Sequence, residues 1–311
     1  MQAVAARLLG AVAVLVLVSI VLFVLVHAIP ASPAQVVLGA DASAEDIAGF
    51  DHDHGLDRPL WAQYARWIGG LLHGDFGDSM IDDTPIGPRI AATFPITLEL
   101  VTLGFLFALA VAIPLGVVSA VWSHSWIDHL SRLLAVSGVS IPSFWFALLL
   151  IDWFAVQHAW FPPGGYVALR DGLGPHLRSL VLPVVALGFY YVAIISRMTR
   201  SSVVEVLGAE HVRAARAMGL GRGRIMVYVL KNALSPVVTV AAMSFGYMFG
   251  WALIIEQVFN IAGMSRALLS AIFQHDYLMV ESIVLVITAI FLLANVAADL
   301  LYRVLDPRIA E

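Results

Sequence analysis

Six stretches of the chain approach the ~20 consecutive apolar residues needed to cross the hydrocarbon of a bilayer. They run near Leu8 to Ile29, Pro95 to Val121, Leu133 to Val156, Ser179 to Ile195, Pro236 to Ile255 and Ile283 to Leu301. No water is present there to satisfy backbone N–H and C=O groups, so each run must close its own hydrogen bonds as a helix. The expected fold class is an all-α integral membrane protein with six transmembrane helices. Composition agrees, at 60% apolar and 13% charged residues with a mean hydropathy of +0.90, where a soluble domain carries about a quarter charged. A formal net charge of −5 excludes a basic nucleic-acid binder, and the absence of cysteine excludes a disulfide framework, a thiolate zinc site and a thiol nucleophile.

An even number of spans puts both termini on one side, and the cations say which. The N-terminus, the segments joining spans two to three and four to five, and the C-terminal tail carry eleven Lys/Arg, from Arg7 and Arg132 to Arg303 and Arg308. The other side carries six, three of them (Arg58, Arg66 and Arg89) in a 65-residue segment too long to count in the positive-inside rule. Both termini are therefore expected in the cytoplasm. Val26-His27-Ala28 offers a small-residue cleavage pattern, but a secretory core is about 7–15 residues. The first run has 22, so a retained anchor is expected.

The segment from Pro30 to Phe94 holds ten Asp/Glu against three Arg and is expected outside the membrane. Asp57-Arg58-Pro59 signals a helix start, and Leu60, Trp61, Tyr64, Trp67, Ile68 and Leu71 recur at helical spacing. That helix either lies in the headgroup region or packs on the outer ends of the spans. Asp51-His52-Asp53-His54 alternates metal-binding side chains, yet in an extended segment they point to opposite sides, which favours a solvated acidic loop. Pro114, Pro142 and Pro183 sit within spans and imply kinks.

Enzyme chemistry is hard to place in this chain. A phosphate-cradling loop needs a lysine, and the single lysine, Lys231, is followed by Asn232. HExxH and GxSxG are absent; Gly138-Val139-Ser140-Ile141-Pro142 fails at its last position. Gly74-Asp75 and Gly77-Asp78 fall outside the apolar runs, which argues against an intramembrane hydrolase. Ionisable residues in or beside the runs are Glu99, Asp152, Glu256 and Asp299. Of these, Asp152 lies deepest, and Asp299 has Arg303 four residues on. They do not form the relay of a proton-coupled secondary transporter, so structural or gating roles are expected.

One long inner segment, residues 201–232, carries a further pattern. Val203, Leu207, Ala214 and Met218 fall on one side of a helical wheel, and Glu205, Arg213 and Arg216 on another. Gly219-Leu220-Gly221 breaks the period, and a second helical pattern from Arg222 to Lys231 returns to the membrane. Such a knob could press on another protein, with Ala214, Ala215 and Gly219 allowing close approach, or lie as a basic hairpin on anionic lipid.

The run Val203-Val204-Glu205-Val206-Leu207-Gly208-Ala209-Glu210-His211-Val212-Arg213-Ala214-Ala215-Arg216-Ala217-Met218-Gly219-Leu220, with Lys231-Asn232-Ala233-Leu234-Ser235-Pro236 after it, resembles the coupling loop of ABC importer permeases. The likeness is greatest to the first (B-type) permease of the peptide/nickel branch. Leu56-Asp57-Arg58-Pro59, Gly74-Asp75-Phe76-Gly77, Pro95-Ile96-Thr97-Leu98-Glu99-Leu100, Ser140-Ile141-Pro142-Ser143-Phe144 and Asp306-Pro307-Arg308 resemble further signatures of that branch, in order. His211, Met218 and Val227-Tyr228 depart from it, as does Ala262-Gly263-Met264-Ser265.

The resemblance implies a type I ABC importer permease fold in the bacterial inner membrane. It divides the chain into an N-terminal helix (1–30), an outer segment (31–94), a five-helix core (95–303) and a cytoplasmic tail (304–311). It implies a second homologous permease, two cytoplasmic ATP-binding subunits that bind the ATP and Mg, and an extracytoplasmic substrate-binding protein. This chain would be non-catalytic, without cofactor or metal of its own. Di- or oligopeptides are the branch's commonest cargo; nickel chelates, haem and sugars also occur. Contact with the ATPase would fall to Glu205, Arg213, Ala214, Ala215, Arg216, Gly219 and Asn232. The outer gate and pathway would involve Glu256, Phe259 and Asp152, where charges adjoin bulky apolar residues.

Overall fold

A computed structural model describes residues 2–28, 33–39 and 41–305, with side chains for 9–28, 33–39 and 41–297. Arg7, Arg303, Arg308, Asp306-Pro307-Arg308 and the Asp299–Arg303 pair fall outside the described side chains. In chain order the helices are α1 Gln2–His27, α2 Pro33–Leu38, α3 Ala44–His54, α4 Leu60–Leu72, α5 Ile86–Val121, α6 Trp126–Ser140 and α7 Ser143–Leu150, the last followed by a π-helical turn Ile151–Gln157. Then come α8 Leu173–Gly208, α9 Glu210–Ala217, α10 Arg222–Val258, α11 Met264–Gln274 and α12 Tyr277–Leu305. Five helices are long and apolar enough to cross a membrane, and the bent pair of α6 and α7 brings the number to six.

That pair corrects the expected kink at Pro142 to a break of 107°. Proline has no N–H to donate and pushes its predecessor out of the helical region. Ile141 accordingly sits at φ −84°, ψ 122° and Pro142 at φ −59°, ψ 131°, two extended residues in succession. Pro183 and Pro236 remain inside continuous helices. The helix containing Pro183 is largely buried and held on several sides. By contrast Val136, Val139, Phe144 and Trp145 beside Pro142 are exposed.

The chain forms two compact units, one made of the residues up to Thr97 with Ala262–Leu292, the other of Leu98–Ile261 with the chain beyond. In the first, α5 starts nine residues before Pro95, because Ile86 and Ile90 pack with Met264, Met279 and Ile283. Pro88, Arg89 and Thr93 conceal this from hydropathy. The outer helix α4 packs with one face and exposes the other. Tyr64 donates to Ser19 (2.8 Å), which donates to the Val16 carbonyl, and Trp67 is buried beside Phe23. Leu60 and Trp61 stay exposed.

Asp51-His52-Asp53-His54 closes helix α3, which Ser43 caps by accepting from Asp46 N–H, so the expected loop is helical. Successive helical residues diverge, and His52 and His54 turn instead to Asp57 (2.9 Å) and Asp83 (3.4 Å). His52 hydrogen bonding holds the Asp57 carboxyl below its usual range. Among the described residues no cluster of three His, Asp or Glu could hold a metal ion.

In the second unit α5 and α8 approach closely through a small residue: a Cβ on Gly116 would lie 2.6 Å from the Ser196 carbonyl oxygen. Below this crossing Ala120, Val203, Val212, Ile225, Val229 and Ala233 form a buried cluster that ties α8, α9 and α10 together.

Candidate functional site

The segment between α8 and α10 is built differently from the single amphipathic helix expected over 201–218. Helix α8 continues from its span to Gly208, and Ala209 then takes an extended conformation (φ −68°, ψ 149°) that resets the helical phase. Helix α9 follows with only eight residues, and Val212 alone is fully buried in it. Val203 and Val212 face the interior while Ala214 and Met218 are exposed, which corrects the expected common apolar face. Gly219 has φ +79°, the left-handed turn anticipated for it, and the N–H groups of Met218, Gly219 and Leu220 bond back to the last turn of α9.

The structure thus presents a short helix anchored by one valine, with Arg213, Ala214 and Arg216 exposed and Ala215 half-buried. Glu205 is exposed near the end of α8, and Asn232, also exposed on α10, donates to the Tyr228 carbonyl (2.8 Å).

The outer candidates lie apart from this knob. Phe259 and Glu256 are fully buried, and the Phe259 carbonyl accepts from Gly165 N–H (2.7 Å). Asp152 is exposed on the π-helical turn and accepts from Gln157 (2.7 Å). Glu99 belongs to a network that the sequence did not reveal: one carboxylate oxygen accepts from Tyr166 OH (2.7 Å) and the other meets His176 Nε2 (2.8 Å), whose Nδ1 faces the Val167 carbonyl. Burial, then the Glu99 carboxylate, pushes the Tyr166 phenol up to about 12.

Three buried acids were missed: Asp128, Asp276 and Glu281. Asp128 accepts from Ser119 (2.7 Å) and from Nε and Nη2 of Arg200 (2.7 and 2.9 Å), with Arg132 at 3.3 Å. Its sequence signal is the capping pattern Ser125-x-x-Asp128, and Ser125 does cap α6. Glu281, 3.6 Å from His27, escaped because α12 begins at Tyr277, before the apolar run. An aromatic cleft of about 370 Å³ between α8 and α10, lined by Tyr190, Tyr191, Tyr247 and Trp251, had no signature in spacing.

Several helices long and apolar enough to cross a membrane, with the short α9 between the long α8 and α10, are what a multi-pass membrane protein requires. Residues 112–311 match the family of binding-protein-dependent transport system inner membrane components, and residues 1–101 match the N-terminal region of such components. The chain belongs to this family, the permeases of ABC importers, and is a non-catalytic transmembrane component. It is 38% identical over 97% of both chains to a dipeptide transport system permease of Alkalihalophilus pseudofirmus. It is 35% identical over 97% of both to a glutathione transport system permease of Escherichia coli K12.

A chain of the MetNI methionine ABC transporter, solved in inward facing conformations, shares the fold with a TM-score of 0.58 and 17% identity, covering 70% of this chain and 95% of that one. The family sets aside the ion-coupled secondary transporter and places the chain in a multi-pass inner-membrane complex with ATPase and substrate-binding subunits.

Proposed function

We propose that this chain is one of two homologous permeases enclosing a pathway for di- or oligopeptides, and that α9 with the Gly219 turn is its contact with one of two cytoplasmic ATPases. The observation that carries the coupling assignment is the isolation of α9 between the extended Ala209 and the left-handed Gly219, with a single buried anchor and an exposed Arg213, Ala214 and Arg216. A helix so held can transmit a push through α8 and α10 as a unit, because Val212 locks into the same cluster as Val203 and Val229. The dipeptide and glutathione permeases among its relatives support a peptide cargo.

Two variants test the coupling reading. Ala214→Trp projects bulk from the exposed face of α9 and holds the ATPase surface off. Gly219→Val places a β-branched residue in the left-handed region, where ordinary residues already lose about 1–2 kcal/mol. Peptide uptake is expected to fall at least tenfold in both, with the permease still inserted and the ATPase either uncoupled or lost on purification. Wild-type uptake in both variants, or stronger membrane binding of Ala214→Trp without loss of transport, would reject it. On the outer side, Glu256 and Phe259 with the loop at Gly165 supply the closure expected of a gate.

A further inference from the structure

Where α5, α6 and α8 meet, the second unit contains a cleft of about 470 Å³ onto which Arg132, Arg197 and Arg200 converge. Its charge is unbalanced. Asp128 is the carboxylate that pairs there, and Arg200 and Arg132 share it. Arg197 is exposed and makes no ion pair among the described residues. One acid against three guanidinium groups leaves an excess of two positive charges. Arg200 spends Nε and Nη2 on Asp128, which leaves its Nη1 edge for another acceptor.

The cleft also changes character with depth. Arg132 immediately precedes the apolar run that starts at Leu133, and Arg197 and Arg200 follow the one that ends at Ile195. The three arginines therefore mark the level at which two spans leave the hydrocarbon. Beyond them the wall is apolar, with Val136 62% and Val139 45% exposed. A soluble anion would leave those valines in water. A zwitterionic lipid would bring its own cation and leave the excess charge in place.

We propose that this cleft binds an acidic phospholipid, its phosphodiester held by Arg197 and the free edges of Arg132 and Arg200, and an acyl chain lying on Val136 and Val139. Basic pockets between membrane helices are suited to such headgroups. The lipid would join α6 to α8, the helix that continues to the α9 knob, so its presence bears on how the knob is braced. The side assigned to the inner leaflet follows the cytoplasmic orientation read from the cations.

The test is lipid retention by the purified transporter complex, measured by native mass spectrometry after exchange into an equimolar mixture of phosphatidylglycerol and phosphatidylcholine. Wild type is expected to retain phosphatidylglycerol selectively. Arg197→Gln, which breaks no internal pair, should lower its occupancy about fivefold, the effect of one surface cation. Phosphatidylcholine retention should not change, and millimolar inorganic phosphate should not displace the lipid. Equal retention of the two lipids, indifference to Arg197→Gln, or displacement by inorganic phosphate would overturn the proposal, the last in favour of a soluble-anion site. A photo-crosslink from a photoactivatable side chain placed at position 136 to the second permease in native membranes would overturn it too, since a protein would then cover the apolar wall.

Discussion

Glu99 illustrates how much one side chain can hold in this protein. It joins Tyr166 and the buried His176, and through them fastens the segment before α8 to α5. Glu99→Ala strips both groups of a partner, and leaving buried polar groups unsatisfied costs roughly 1–3 kcal/mol. A lower unfolding temperature and faster amide exchange across residues 161–172 are the expected results, with Glu99→Gln nearer to wild type because its amide oxygen still accepts from Tyr166. An alanine variant as stable as wild type would exclude the network from stability. Gly164 makes a neighbouring demand: a Cβ there would run into the Phe259 carbonyl oxygen. Gly164→Ala should therefore displace the loop that Phe259 anchors, seen as increased proteolysis at that loop.

Among the elements, the broken pair α6 and α7 departs furthest from a simple span. Pro142→Ala restores an N–H and frees Ile141 to enter the helical region, removing both causes of the break. The chain has no cysteine, so spin labels at two introduced cysteines report without background. Leu130 and Trp153 are exposed on the two arms. At 1.5 Å per residue, they stand about 20 Å apart across the observed bend and about 35 Å apart in a straight helix. An electron–electron distance that lengthens in Pro142→Ala is the expected outcome. An unchanged distance would assign the bend to packing rather than to proline.

For the whole molecule the decisive measurement is topology. The eleven cations that mark one side predict that a reporter after Arg308 is cytoplasmic and one inserted near Asp82 is extracytoplasmic. Asp82 sits in an exposed turn where Thr84 and Arg89 engage it. Inaccessibility of that site from outside intact cells would require a different path through the bilayer. The membership of the assembled complex is a separate matter: co-expression with the ATPases should recover this chain with a second permease, and this chain alone should hydrolyse no ATP.

Hydropathy, helical period and glycine placement are local properties, and they determined what local rules can reach. The apolar runs follow from the number of adjacent apolar residues. The turn at Gly219 follows from a broken period at a residue able to hold positive φ. Family motifs in the run 203–236, with further signatures in order along the chain, identified the class of protein. Tertiary structure decided what depends on partners distant in sequence. Asp128 is held by Arg200, 72 residues on; Glu99 by His176, 77 on; and Ser79 donates to Asp276 across 197 residues. No window of neighbouring residues contains those pairs, so charged groups that look solvated in sequence become buried in the fold. The prolines make the same point: Pro114 and Pro183 lie inside continuous helices while Pro142 sits at a 107° break, so the residue type by itself does not decide between a continuous helix and a broken one.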